Sequence, residues 1–147
     1  MNNYIFFRTD RIGDFLMSSI LFKSIKKSDD ESRVIIIASK KNFDYIKKFE
    51  FVDEVILFPE NFLKKILFYF NFFLKKYYLV GILDGKKRSI YFSFIVRSKY
   101  KFLFTYKKIY KLSLKYFFTK IFLDENCKSK FDEIKNLLGH LGLKFLD

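Results

Sequence analysis

Tyr4-Ile5-Phe6-Phe7-Arg8-Thr9-Asp10-Arg11-Ile12-Gly13-Asp14-Phe15-Leu16 is the stretch on which the reading of this chain turns. An apolar run stops at a cluster of charge, turns on a glycine and resumes as an amphipathic segment headed by Asp14. That is the pattern of a strand, a tight polar loop and a helix start, the unit that places ligands beyond the carboxyl ends of strands in open α/β sheets. It puts Asp14 beside the unpaired N–H groups of a helix N-terminus, where anionic groups are favoured.

Outward from this unit the pattern repeats. Tyr4–Arg8 reads as a short buried strand. From Asp14, apolar residues recur at Leu16, Met17, Ile20, Leu21 and Ile25, with Lys23, Lys26 and Lys27 on the other side. This is helical spacing with cations near the C-terminal end. A polar break over Ser28–Ser32 precedes Arg33–Ala38, apolar and β-branched enough for a strand covered on both faces. Asn42–Phe49 reads as a short helix and Glu54–Phe58 as a strand closed by Pro59. Asn61 is a candidate cap for a helix over Phe62–Lys76. Tyr78–Leu83 is then a strand ending at Asp84-Gly85, and Arg88–Arg97 a helix. Lys99–Thr105 reads as a strand whose alternate lysines suit a place near the sheet edge. Tyr106–Phe122, basic and aromatic, fits no single period. Ser129–Leu141 closes the pattern as an amphipathic helix with Phe131, Ile134, Leu138 and Leu141 on one face. Strands alternating with helices predict one α/β domain over residues 1–147, a Rossmann-like, doubly wound parallel sheet.

Composition sets the bounds. The 147 residues are enough for one core but too few for two ordinary domains. The single cysteine, Cys127, excludes an internal disulfide and a thiolate metal cluster, which suits a cytoplasmic, reducing location. Arg8, Asp10, Arg11 and Asp14 interrupt any apolar stretch of signal-peptide type. The net charge of +13 is unevenly spread: residues 61–120 carry fifteen Lys/Arg against one acid, Asp84, while residues 1–60 are neutral. This asymmetry points to an anionic partner such as a phosphorylated glycolipid, a membrane surface or nucleic acid, or else to a Lys-, Phe- and Ile-rich compositional bias. No RRM, KH or zinc-finger signature is present, so a specific nucleic-acid partner is not expected. G-x-G-x-x-G, Walker A and H-E-x-x-H patterns are absent as well, which leaves dinucleotide, P-loop and zinc-protease chemistry unsupported.

Three segments together resemble the heptosyltransferases of glycosyltransferase family 9. Arg8-Thr9-Asp10-Arg11-Ile12-Gly13-Asp14-Phe15-Leu16 is similar to that family's opening R-x-D-x-[IL]-G-D-x-[LV] loop. Phe51-Val52-Asp53-Glu54-Val55-Ile56 is similar to its VDEV strand. Tyr77-Tyr78-Leu79-Val80-Gly81-Ile82-Leu83-Asp84-Gly85 followed by Arg88-Ser89 is similar to its YDLVIDLxGxxRS strand and loop. The helix over Phe131–Leu143 resembles the one that ends the family's first domain. The resemblance implies the GT-B architecture, of which this chain covers the N-terminal, acceptor-binding half; the donor-binding C-terminal domain lies outside the match. It departs from the family where Tyr78 and Ile82 replace aspartates and Asp84 stands where Gln or His is common.

By this resemblance Asp14 is the general base of an inverting transfer from a nucleotide-sugar, ADP-heptose by family analogy, to a lipopolysaccharide-core or other glycolipid or oligosaccharide acceptor. No metal or resident cofactor is implied, and a separate chain supplying the donor domain is one expected partner. One carboxylate within reach of the acceptor hydroxyl suffices for such a step, since no covalent intermediate forms. The plainer reading is that Asp14 caps the first helix, although Met17 three residues on forms no capping box. Gly13 is expected to adopt a backbone strained for other residues, to permit close approach of the acceptor, or simply to serve the turn. Arg8, Asp10 and Arg11 are candidates for an internal ion-pair set or for gripping acceptor anions, and Thr9 for a sugar hydroxyl. Asp84, Gly85 and Arg88, at a second strand end, face the same crevice in this reading. The lone histidine, His140, has no partners spaced for catalysis and reads as structural.

Phe62–Lys76 is almost wholly apolar between the pairs Lys64-Lys65 and Lys75-Lys76. Its uninterrupted stretch is far below the ~18–20 residues that a spanning helix needs. It is either a helix packed on the sheet or one lying on an anionic membrane surface, with those four lysines meeting headgroups. Peripheral attachment to the inner face of the cytoplasmic membrane suits a lipid-linked acceptor. The alternative to an enzyme is a non-catalytic module that binds the acceptor or the membrane surface.

Overall fold

The computed structural model describes residues 1–123 and 130–146; Cys127 and Ser129 lie outside them. Six strands, β1 (Asn3–Arg8), β2 (Arg33–Ala38), β3 (Glu54–Leu57), β4 (Lys76–Ile82), β5 (Arg97–Thr105) and β6 (Lys120–Leu123), form one parallel sheet in the order β3-β2-β1-β4-β5-β6. The helices between them are α1 (Ile12–Ser28), α2 (Phe43–Ile46), α3 (Phe62–Phe73), α4 (Lys87–Ile95) and α5 (Lys108–Ser113), and α6 (Lys130–His140) follows β6. The sheet is doubly wound, as expected.

Because successive strand residues point to opposite faces, the two faces hold separate cores. Tyr4, Phe6, Val34, Ile36, Leu79 and Phe102 pack under α1, α2 and α6. Ile5, Phe7, Ile35, Ile37, Val80 and Leu103 pack under α3, α4 and the segment after α5. Aromatic rings fill much of both: Phe6 meets Phe22 at 5.0 Å, and Phe7 meets Phe92 edge-on at 4.6 Å. α6 ends in a glycine turn, with Gly142 at φ +69° and the Leu143 N–H bonded to the Leu138 carbonyl at 2.9 Å. The C-terminal segment then returns to α1, where the Leu146 N–H donates to Ser24 Oγ. Leu137, which the periodicity did not single out, is buried with Ile134 and Leu138, whereas Phe131 is 42% exposed.

Three expectations are corrected. The first helix begins at Ile12, not Asp14, so Asp14 sits in its first turn, and Arg11 at the cap makes no side-chain cap bond. Gly13 is helical and does not have positive φ; a Cβ there would meet nothing within 4 Å. β5 does lie near the edge, one strand in, because the segment of no single period folds as α5 and β6. Finally, α3 stops at Phe73, capped at its start by Asn61 accepting from the Leu63 N–H, and packs through Phe68 and Phe72 alone as buried residues. Its Phe62, Leu63, Ile66, Leu67, Phe70 and Phe73 are exposed.

Gly81 shows how tightly the central pair is fitted. It lies opposite Phe6, and a Cβ at this position would come within 2.4 Å of the Phe6 ring. Gly81→Ala is expected to destabilise the fold by about 1–3 kcal/mol through overpacking, measured by urea denaturation. A cost near zero would mean that the ring moves freely.

Candidate functional site

In a sheet of this order the strand sequence reverses between β1 and β4, the place where open α/β sheets carry their ligand crevice. The loop 9–11 and the segment 83–86 form its floor. Arg8, the last residue of β1, is 2% exposed and ties the floor together. Its Nη1 donates to the Leu83 carbonyl at 2.6 Å and its Nη2 to the Asp14 carbonyl at 2.6 Å. Nη1 also pairs with Asp10 at 3.2 Å, and Nη2 lies 3.9 Å from the Asp14 carboxylate. One guanidinium thus links the end of β1, the end of β4 and the first turn of α1. Burial lowers its pKa from the ordinary arginine value, against the opposing pull of Asp10, Asp14 and Asp84.

Thr9, also buried, is the second knot. Its hydroxyl donates to Asp84 Oδ2 at 2.5 Å and accepts from Arg88 Nη2 at 2.8 Å and Lys86 Nζ at 3.3 Å. Asp84 also accepts from Ser89 Oγ at 2.9 Å and from the Lys86 N–H at 3.2 Å, the latter closing an Asx turn. That turn needs Gly85, whose φ is +60° and whose missing Cβ would stand 2.9 Å from the Phe104 carbonyl. Arg88 lies over the Phe58 ring at 4.8 Å. Arg8, Thr9, Asp84, Gly85 and Arg88 are therefore brought together, but as the framework of the floor. As buried or internally bonded groups, Arg8 and Thr9 are not presented to a ligand.

What this framework presents is Asp14, Arg11, Asp10 and the open side of Gly13. The Asp14 side chain is 20% exposed, and its Oδ2 accepts from Arg11 Nε at 3.1 Å. Its backbone is doubly anchored, the carbonyl accepting from Arg8 and from Ser18 Oγ at 2.8 Å. The Arg11 side chain is 88% exposed and reaches outward. Asp10 is partly buried, and burial raises its pKa more than Arg8 lowers it.

The periodicity opens a helix at Asn42 but gives no sign of the role of its side chain. Buried at the start of α2, it donates to the Arg8 carbonyl at 2.8 Å and the Asp10 carbonyl at 3.3 Å, and accepts from the Ser39 N–H at 2.9 Å. It holds the loop from the β2 side; an Asn four residues past a strand was its only trace in the sequence. His140 lies on α6 with its Nε2 3.1 Å from Lys120 Nζ, away from this floor. Lys64 and Lys65 in the first turn of α3, and Lys75 and Lys76 beyond its end, take no part in it. Among the described residues no three His, Cys, Asp or Glu side chains converge as a metal-ligand set.

Two outcomes test this geometry. Asn42→Ala strands buried backbone groups and should cost about 1–3 kcal/mol of stability by urea denaturation. Because the native Asp10 carboxyl holds its proton more tightly than the ordinary 3.8, stability should fall as pH rises from that value through the raised one. Asp10→Asn should flatten that section of the pH–stability curve, and an unchanged slope would show that Asp10 does not cause it.

The fold is shared with solved sugar transferases. The structure superposes on a glycosyl transferase of family 9 from Veillonella parvula with a TM-score of 0.72 and 16% identity, covering 97% of this chain and 42% of that one. With E. coli heptosyltransferase WaaC bound to ADP-2-deoxy-2-fluoro heptose the TM-score is 0.75 at 11% identity, covering 99% of this chain and 50% of that one. With E. coli ADP-heptose lps heptosyltransferase II it is 0.59 at 12% identity, over 82% of this chain and 34% of that one. No protein-family model and no curated protein matches the sequence. The chain spans half or less of the length of these structures, and its Rossmann-like fold is the one found in about half of a GT-B heptosyltransferase.

Proposed function

We propose that this chain is the acceptor side of an inverting glycosyltransferase in which Asp14 is the general base. The observation that supports it most is the placement of a partly exposed carboxylate on a doubly anchored backbone where the strand order reverses, in a fold shared with heptosyltransferases. Transfer needs the acceptor hydroxyl to lose its proton to a carboxylate oxygen while its oxygen attacks the anomeric carbon. The bond from that carbon to the nucleotide phosphate breaks on the opposite face, and the leaving phosphate keeps the electron pair. A fixed backbone at Asp14 reduces the reorganisation needed to reach that geometry. Arg11 orients the carboxylate and, with Asp10 and the uncovered Gly13, forms the acceptor-facing edge. Arg8, Thr9, Asp84, Gly85 and Arg88 position this edge.

The donor in this reading is a nucleotide-sugar, ADP-heptose or a near relative, held by a donor-binding half from elsewhere in the polypeptide or on a partner chain. The acceptor is a lipopolysaccharide-core or other glycolipid sugar, and the reaction belongs at the cytoplasmic face of the membrane. No metal is assigned a role.

With the donor half supplied, Asp14→Asn should lower transfer of radiolabelled sugar by roughly 10²–10⁴-fold while leaving thermal unfolding near wild type. Arg11→Ala should mainly raise KM for the acceptor. Undiminished transfer by Asp14→Asn would remove Asp14 as base.

A further inference from the structure

The layer formed by α3, α4 and α5 is unlike the opposite one. Residues 61–120, which make all three of these helices, carry fifteen Lys/Arg and one acid, and that acid, Asp84, is bonded into the crevice floor. Within α3, apolar side chains at Phe62, Ile66, Phe70 and Phe73, widened by Leu63 and Leu67, fall on one continuous arc and are all exposed. The buried stripe, Phe68 and Phe72, lies on another side of the helix. Leu112 on α5 is 76% exposed between Lys111 and Lys115. By contrast, the large apolar residues exposed on α1, α2 and α6 are Ile12, Leu16, Met17 and Phe131, each at 38–44%, among the described residues.

We infer that this layer is a membrane-docking surface. α3 lies in the plane of an anionic lipid bilayer, its aromatic arc entering the interface while Lys64, Lys75, Lys76 and the lysines of α5 meet headgroup phosphates. No helix among the described residues is long and apolar enough to cross a membrane, and twelve residues span about 18 Å, so α3 rests on the bilayer. The arc is too large and continuous for ordinary solvent exposure.

Charge selects the occupant. A second copy seated on this face would oppose two lysine-rich layers, and like charges facing each other disfavour that dimer. A polyanion without an apolar phase satisfies the lysines but leaves the arc wet. An anionic bilayer satisfies both. The inference deepens the membrane-side location proposed above but does not rest on turnover, because lipid binding and sugar transfer are read separately.

The chain has no tryptophan, so Phe70→Trp creates a single reporter on the arc, and Phe131→Trp a control on the opposite layer. Vesicles of phosphatidylcholine with phosphatidylglycerol should shift the emission of Phe70→Trp to shorter wavelength and leave Phe131→Trp unchanged. Phosphatidylcholine alone should bind far less. Replacing Lys64, Lys75 and Lys76 singly by Gln should weaken co-sedimentation with the anionic vesicles about fivefold each. Phe70→Ser should weaken it about tenfold or more without lowering thermal stability. The inference is overturned if Phe70→Trp shows no shift on vesicles that the chain binds, or if heparin reproduces the same shift. Sedimentation showing a dimer that Phe70→Ser dissolves, with no vesicle binding, would assign the face to a second copy instead. Loss of transfer by Asp14→Asn with vesicle binding intact would separate the two proposals.

Discussion

The buried guanidinium of Arg8 is the constraint on which the rest of the site depends. A cation that is 2% exposed is tolerable only where acceptors surround it, and Leu83, Asp10 and Asp14 provide them from three different segments. Each of those segments is fixed in turn by the need to stay there. The end of β4 cannot drift from the end of β1, and the first turn of α1 cannot rotate without losing its carbonyl contact. Removing the cation would leave Asp10 partly buried beside an unsatisfied loop, a costly state by the usual penalty for breaking a buried pair. The crevice floor is thus rigid, and only what stands above it is free to meet a ligand.

This division between framework and edge corrects the simplest reading of the motif. Residues clustered in sequence around a loop invite assignment to one ligand, yet burial sorts them. Thr9 and Asp84 bond to each other across 75 residues of chain, so each satisfies the other. Asp53, from the VDEV-like segment, plays a similar structural part. It accepts from the Val34 N–H at 2.7 Å and pairs with Lys26 at 3.0 Å, closing the start of β2. Motif residues here hold strand ends in place as often as they face the crevice.

How much was legible follows from the physics of each element. β1, β2 and β4 are continuous apolar runs because helices cover both their faces, and their strand character is plain in the letters. α1 was visible by period, but its start was displaced by two residues because Asp14 resembles a cap while the actual cap residue, Arg11, makes no side-chain bond. β6 was hidden: four residues beside a six-residue helix give neither period room to show. Asn42 was hidden for a different reason. Its bonds reach 34 and 32 residues back to the backbone of the loop after β1, and long-range side-chain-to-backbone bonds leave no pattern in composition. For α3 the periodicity showed a helix, but not that most of its apolar circumference would stay outside the core.

That last feature bears on how the molecule comes apart. Detaching α3 from the sheet uncovers Phe68, Phe72 and one side of Tyr69 on the helix, and beneath it the rings of Phe58, Tyr77 and Phe92 that they touch; its other rings are already wet. The free-energy step for releasing it is therefore smaller than that for parting β1 from β4, whose residues are fully enclosed. The molecule is built with a graded hierarchy of openings: a loosely held flank that breathes before the central strands do, and a crevice edge rooted in the part that yields last.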